Sequence, residues 1–135
     1  MKPILLDTCA LVWLANRDPI SAQATRSLRE AEVSAGILVS PISAWEIGLL
    51  ASRGRLTLKL DPRRWFERAL HAGVGLAQMP PDVLVASSYL PPSHLRDPAD
   101  RIIAATARAY GYAVMTREGP LLAFGAAGHI DAIAC

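Results

Sequence analysis

Short apolar runs alternate along the chain with longer segments in which apolar residues recur every three or four positions. A continuous apolar run is typical of a strand that is covered on both faces of a parallel sheet. Five strands are predicted, at residues 3–6, 36–39, 75–79, 112–115 and 129–134. Strands that alternate with helices indicate an α/β protein with three layers, α/β/α, and a central parallel sheet of four to five strands.

Helix-start signals stand in front of the periodic segments. Ser21 is a suitable N-cap, and Ser40, Asp61 and Asp97 are each followed by the proline that is favoured at the first helical position. The predicted helices cover residues 8–16, 21–32, 41–53, 62–71, 82–89 and 98–110. In the third of them, Ile42, Trp45 and Leu49 have the spacing of a buried stripe.

Length and composition fit one domain over residues 1–135. The chain is 52% hydrophobic, which is enough for a single core. It contains no apolar run of the roughly 18 residues that a membrane span requires, so we expect a cytoplasmic protein without a membrane partner. Its two cysteines, Cys9 and Cys135, have no CxxC spacing and are expected to be free thiols.

The charge pattern gives only weak support to a nucleic-acid partner. The net charge is +2, but every basic residue except Lys2 and Lys59 is an arginine, whose planar fork suits phosphate. The segment 53–68 is locally basic. It is either a rim that faces phosphate or a solvated face, and the arginine content is better explained by overall composition.

Five acidic residues fall near the starts of helices, namely Asp7, Glu46, Asp97, Asp100 and Glu118. In a parallel sheet such positions share one edge, so these carboxylates can meet in one pocket. Oxygen ligands without Cys or His favour Mg²⁺ or Mn²⁺ over zinc. The cluster therefore predicts a divalent-metal site suited to phosphodiester hydrolysis, in which one carboxylate orients or deprotonates the attacking water.

Each acid also has a purely structural interpretation. Asp7 can be an N-cap, and Glu118 a first-turn acid that the helix dipole favours. Glu46 lies three residues after Ser43, and Asp100 three after Asp97, which is the spacing of a capping box. Because Ser40-Pro41 already supplies a cap, Glu46 is not needed for that purpose.

Four linked segments resemble the PIN domain, most closely the VapC-type toxins of bacterial toxin–antitoxin pairs. They are LLDTCALVW at 5–13, SPISAWEI at 40–47, HLRDPADRIIAA at 94–105 and VMTRE at 114–118. The resemblance covers nearly the whole chain. It implies a PIN-like fold, a Mg²⁺- or Mn²⁺-dependent endoribonuclease that acts on RNA, a cognate antitoxin, and a homodimer for which apolar helix faces within 42–50 and 61–71 are candidates.

The resemblance also assigns roles to individual residues. The residues it implies as catalytic are Asp7, Glu46, Asp100 and Glu118. Those it implies as metal ligands are Asp7, Glu46, Asp100 and Asp97, and the supporting hydroxyls are Thr8, Ser43 and Thr116. Three arginines adjoin the acids, Arg96, Arg101 and Arg117; they either bind phosphate or pair with the acids in the metal-free protein.

Two positions depart from the family pattern. Cys9 stands where this subgroup usually has histidine, which removes a donor but no core ligand. Glu118 stands where an aspartate is usual, and its carboxylate is one methylene further from the backbone. We expect altered metal affinity with the chemistry kept.

Other functions remain open at this point. The same fold serves processing nucleases that have no antitoxin, and a non-catalytic metal-binding interaction module is a further alternative. A phosphoacceptor domain of the response-regulator type requires a lysine after its last strand, and neither Lys2 nor Lys59 is near such a position. The three tryptophans, Trp13, Trp45 and Trp65, are expected to pack in the core rather than to stack on bases.

Overall fold

The computed structural model describes residues 1–135 and contains five strands and seven helices. The strands are β1 Ile4–Leu6, β2 Ile37–Val39, β3 Gly75–Leu76, β4 Ala113–Thr116 and β5 Asp131–Ala134. The helices are α1 Thr8–Ala15, α2 Ala22–Val33, α3 Pro41–Ser52, α4 Pro62–His71, α5 Pro81–Ala86, α6 Pro98–Tyr110 and α7 Gly119–Ala126. None of the helices is long and apolar enough to cross a membrane.

All strand pairs in the sheet are parallel, in the order β3-β2-β1-β4-β5. The central strand β1 pairs on one side with β2, where Leu5 is opposite Leu38, and on the other with β4, where Leu5 is opposite Val114. The prediction of an α/β/α fold with a parallel sheet of up to five strands is confirmed.

Two apolar clusters cover the two faces of the sheet. Ile4 and Leu6 belong to one cluster and Leu5 to the other, as the alternation of side chains along a strand requires. The first cluster takes in buried residues of α1 to α4, such as Ile47, and the second takes in those of α6 and α7, such as Phe124. The sheet is therefore the middle layer between two helical layers.

The strand order creates one position at which the chain changes direction across the sheet. From β1 the chain moves outward through β2 to β3, then returns past β1 to form β4 and continues outward to β5. Helices that leave the carboxyl ends of β1 and β4 diverge at this point. Such a switch point leaves an open crevice at the carboxyl edge of a parallel sheet.

The predicted caps hold in the structure. The side chains of Ser21, Ser40, Asp61 and Asp97 accept hydrogen bonds from the first turns of α2, α3, α4 and α6. Gly111 ends α6 in the left-handed conformation at φ 72°, which glycine adopts without strain. The predicted third strand is shorter than expected, because only Gly75–Leu76 pairs with β2.

The predicted buried stripe of α3 is wrong at Trp45, which is 56% exposed. Ser43 and Ile47 face the sheet instead and are fully buried. Trp45 lies two residues from each of them, which places it about 200° around the helix axis. The sequence misled because α3 carries apolar residues on all sides. Trp65 is buried as expected, and Trp13 is partly buried.

Candidate active site

All five predicted acids come from elements that meet at the carboxyl edge of the sheet. Asp7 follows β1, Glu46 lies in α3, Asp97 and Asp100 begin α6, and Glu118 follows β4. Their proximity is evident at Asp100: burial, and then repulsion by the other four carboxylates, raises its pKa to about 8. The structure therefore brings the five acids into one electrostatic neighbourhood.

Asp7 is the most buried of the acids, with 1% of its surface exposed. One carboxylate oxygen accepts a hydrogen bond from the backbone nitrogen of Ala10 at 2.7 Å, and the other from Thr116 Oγ1 at 2.5 Å. Burial nevertheless raises the pKa of Asp7 to about 6, and repulsion by Glu118 and Glu46 adds to this while the two hydrogen bonds oppose it. Asp7 is thus both a helix cap and a buried acid without a counter-charge.

Glu46 is held by a chain of hydroxyl groups. Thr8 Oγ1 hydrogen bonds Glu46 Oε1 and lies 2.9 Å from Ser43 Oγ. A hydroxyl has one proton and an ionised carboxylate only accepts, so Thr8 donates to Glu46 and Ser43 donates to Thr8. The capping-box interpretation of Ser43 and Glu46 is wrong, because Ser40 Oγ caps α3 by accepting from the nitrogen of Ile42 at 3.1 Å. Burial raises the pKa of Glu46.

The spacing of Asp97 and Asp100 suggested either a capping box or a pair of metal ligands, and the two residues differ in the structure. Asp97 is exposed and caps α6, since its Oδ2 accepts from the nitrogen of Asp100 at 3.0 Å. Asp100 does not return a hydrogen bond to the backbone of Asp97, and its partly buried carboxylate has no hydrogen-bond partner within the protein. The oxygens of Asp100 are therefore free to bind a ligand.

Glu118 is at the N-cap position of α7, but its side chain does not cap that helix. Its backbone nitrogen donates to Thr116 Oγ1 at 2.9 Å, and its Oε1 accepts from Cys9 Sγ at 3.5 Å. Burial, followed by repulsion from Asp7 and Glu118, raises the pKa of the Cys9 thiol to about 12. Sequence reasoning did not foresee the contact between Cys9 and Glu118, because topology brings the two segments to one edge of the sheet without determining which side chains touch.

No basic side chain neutralises the acids. The ion pairs of the protein are Lys2–Asp131, Arg63–Glu67 and Arg64–Asp61, all on exposed surfaces. The open alternative that the neighbouring arginines pair with the acids is therefore wrong. The neighbourhood carries uncompensated negative charge in the protein alone.

The three neighbouring arginines have different surroundings. Arg101 donates to the backbone oxygens of Ser87 at 2.8 Å and Leu95 at 2.6 Å, so it fastens the loop in front of α6. Arg117 donates to the backbone oxygen of Pro19 at 2.6 Å, and its guanidinium lies 3.9 Å from the ring centre of Trp13. Arg96 is exposed and makes no hydrogen bond. Phosphate binding by these three residues stays a prediction.

The donor set of this neighbourhood is chemically suited to a hard divalent cation. Its free groups are carboxylate oxygens and its charge is uncompensated, whereas zinc sites use Cys and His. The His, Cys, Asp and Glu side chains form no preassembled group of three that could hold a metal ion. Mg²⁺ commonly keeps several waters and takes only one or two carboxylates directly, so a compact cage is not required.

Comparison with known proteins agrees with this architecture. The PIN domain family model matches residues 4–121. Over 119 residues, 87% of this chain and 88% of the relative, the chain is 32% identical to Ribonuclease VapC22 of Mycobacterium tuberculosis (strain ATCC 25618 / H37Rv).

Solved structures share the fold at lower identity. The VapBC2 complex from Rickettsia felis, bound to a DNA fragment from its promoter, has a TM-score of 0.68 at 15% identity and covers 98% of both chains. DNA-bound VapBC from Salmonella typhimurium has a TM-score of 0.66 at 17% identity, covering 99% of this chain and 98% of that one. The chain therefore belongs to the PIN domain family, among its VapC-type members.

Proposed function

We propose that this protein is a divalent-metal-dependent endoribonuclease and the toxin of a toxin–antitoxin pair. The observation that carries the proposal is the group of five carboxylates at the switch point of the sheet, buried or partly buried in four cases and paired with no basic side chain. Uncompensated buried charge lowers stability, so its presence calls for a functional reason. A cation together with a phosphate substrate provides one.

In this proposal Mg²⁺ or Mn²⁺ is held by Asp7, Glu46 and Asp100, with Asp97 as an outer ligand. A divalent cation in such a site supplies neutralisation of the phosphoryl oxygens and a more acidic water. Burial and neighbouring carboxylates raise the pKa of Asp7 and of Asp100, which disfavours their ionised forms. A nearby cation favours the ionised carboxylate and would offset this effect, which supports the choice of these two ligands. Asp97 is assigned the outer position because it is exposed and already serves as a cap.

The protein's own groups position the reactants. Thr116 and the backbone of Ala10 fix both oxygens of Asp7, so this side chain cannot rotate away from the crevice. Thr8 holds one carboxylate oxygen of Glu46, and Ser43 orients the hydroxyl of Thr8. Glu118 has a carboxylate oxygen without a partner in the protein, and we assign to it the orientation or deprotonation of the attacking water.

The substrate in this proposal is RNA, approached at the carboxyl edge of the sheet. Arg96 is exposed beside Asp97 and is assigned to a substrate phosphate, since it has no contact within the protein. Arg101 and Arg117 are assigned to structural contacts with backbone carbonyls. The activity belongs in the cytoplasm, where its RNA substrate is found.

A cognate antitoxin is the proposed protein partner. The support is the 32% identity to a protein named Ribonuclease VapC22 and the shared fold with toxins in solved VapBC complexes. Coexpression with the product of the neighbouring short gene tests this partner. We expect the two proteins to copurify and growth arrest to be relieved; growth arrest that no neighbouring product relieves favours a processing nuclease without an antitoxin. The homodimer stays a prediction.

The catalytic assignment is tested with Asp100→Asn. The variant keeps the size of the side chain and removes an unpartnered oxygen, so we expect RNA cleavage with Mn²⁺ to fall by about a hundredfold or more. Asp82→Asn is the matched control, because Asp82 is an exposed first-turn acid of α5 outside the cluster. Equal cleavage by the wild type and Asp100→Asn, or no cleavage by the wild type with either metal, would contradict the proposal.

A further inference from the structure

The two positions at which the sequence departs from the family pattern touch each other. The thiol of Cys9, in the first turn of α1, donates to Oε1 of Glu118, which stands at the start of α7. This is the only hydrogen bond that the carboxylate of Glu118 makes within the protein. The two departures, independent in the sequence, therefore form one local interaction.

The contact closes a ring of hydrogen bonds around the most buried acid. Thr116 Oγ1 donates to Asp7 and accepts from the backbone nitrogen of Glu118, so one hydroxyl ties the backbone before α7 to Asp7. The side chain of Glu118 then returns to Cys9, two residues after Asp7 in the same chain segment. The carboxylate of Glu118 cannot swing away from Asp7 without breaking the bond to the thiol.

Side-chain length makes the two residues interdependent. An aspartate at position 118 would hold its carboxylate about 1.5 Å nearer its own backbone, the length of one carbon–carbon bond. The distance from the sulfur of Cys9 to the carboxylate oxygen, now 3.5 Å, would then exceed hydrogen-bond range. The thiol of Cys9 thus has a partner because position 118 is glutamate.

We propose that Cys9 is a positioning residue for Glu118, and that its thiol holds the longer carboxylate beside Asp7. The inference rests on the proposed function of Glu118 in orienting the attacking water. Cys9 itself contacts neither metal nor RNA in this account. Its effect is therefore on kcat and passes entirely through Glu118.

A double-mutant cycle in RNA cleavage tests this dependence. Cys9→Ala removes one hydrogen bond, so we expect kcat to fall about 3- to 10-fold while the Mn²⁺ dissociation constant and KM stay within about twofold. Cys9→Ser keeps a donor within reach of the flexible Glu118 side chain and restores most of the rate. In a Glu118→Gln background, Cys9→Ala has no further effect. The same fold loss in both backgrounds, or no loss in either, overturns the proposal.

Crystal structures of the wild type and Cys9→Ala give a readout that does not depend on activity. We expect the carboxylate of Glu118 to leave its position beside Asp7 in Cys9→Ala and to keep it in Cys9→Ser. An unmoved carboxylate in Cys9→Ala overturns the positioning role even if the enzyme is active. Wild-type protein that cleaves no RNA refutes the proposed function, and the carboxylate position still decides this inference. Cys135→Ala is the control for the loss of a thiol, because Cys135 makes no hydrogen bond to Glu118, and the carboxylate of Glu118 should keep its position in that variant.

Discussion

The start of α1 and the start of α4 have the same local geometry and opposite surroundings. Asp7 caps α1 by accepting from the nitrogen of Ala10 at 2.7 Å, and Asp61 caps α4 by accepting from the nitrogen of Arg64 at 3.1 Å. Asp7 is 1% exposed and faces other carboxylates, whereas Asp61 is exposed and lies 3.5 Å from the guanidinium of Arg64. Burial and the nearby charges, and not the cap itself, distinguish them.

This difference separates a structural acid from a functional one. A cap contributes about 1 kcal/mol and works equally well in water, as at Asp61. Asp7 makes the same cap in a place where its charge is desolvated and repelled, which is unfavourable for folding. A chain that needed only a cap at this position would gain stability from serine or asparagine there. In the proposed function this burial has a reason, because a cation would compensate the charge of Asp7.

Substitutions at the two caps should differ most strongly in their effect on RNA cleavage. We expect Asp7→Asn to lower RNA cleavage by about a hundredfold or more, since it removes a carboxylate from the proposed ligand set. Asp61→Asn keeps the cap and should cleave at the wild-type rate. Both proteins should show wild-type helical circular dichroism. Comparable losses in the two variants would mean that capping, and not metal binding, explains Asp7.

The second largest difference between the two caps should be in the pH dependence of stability. Burial raises the pKa of Asp7 from its ordinary value of 3.8 to about 6 in the folded protein. Between these two pH values the folded protein therefore holds a proton on Asp7 that the unfolded chain has released. The contribution of Asp7 to stability is therefore fully present below about pH 4 and is lost as pH rises through 6, and Asp100, with a pKa of about 8, extends the loss to higher pH. In chelator, Asp7→Asn should gain about 3 kcal/mol over the wild type at pH 8 and almost nothing at pH 4.

Urea denaturation of the wild type, Asp7→Asn and Asp61→Asn at pH 4, 6 and 8 measures this effect. The Asp61→Asn difference from the wild type should stay small at each pH, because that acid is exposed. A stability advantage of Asp7→Asn that is the same at pH 4 and pH 8 would show that desolvation of its charge is not the cause.

The smallest expected effect concerns the exposed cap alone. Asp61→Ala removes the acceptor for the nitrogen of Arg64 and should cost about 1 kcal/mol in free energy of unfolding, while Asp61→Asn should be nearly neutral. Thermal denaturation monitors both variants. If Asp61→Ala is as stable as the wild type, the cap at α4 contributes nothing to the free energy of unfolding. The similar geometry of the two helix starts would then not imply a similar contribution to stability.

The sequence predicted the sheet and the location of the acids because both depend on local pattern and topology. The apolar run before Ser40-Pro41 placed a strand end, and the pairs Ser40-Pro41 and Asp97-Pro98 placed helix starts, within a few residues. Parallel strands then brought Asp7 and Glu118 to one edge. The roles assigned to the individual site residues stay predictions until they are measured.

Features that depend on packing were not predictable in the same way. The apolar residues around α3 permit more than one buried face, and only contact with the sheet selected Ile47 over Trp45. The bond between Cys9 and Glu118 joins residues from opposite ends of the chain, and no spacing rule connects them. The backbone contacts of Arg101 likewise depend on how the loop before α6 folds back.

Calorimetric titration of Mn²⁺ into the wild type, Asp7→Asn and Asp61→Asn at pH 8 tests the central claim most directly. The wild type and Asp61→Asn should bind Mn²⁺ with the same affinity, and Asp7→Asn should bind at least about tenfold more weakly, because the carboxylate at the switch point is a ligand. Equal Mn²⁺ affinity in all three proteins, or no binding by the wild type, would contradict a metal site built around Asp7.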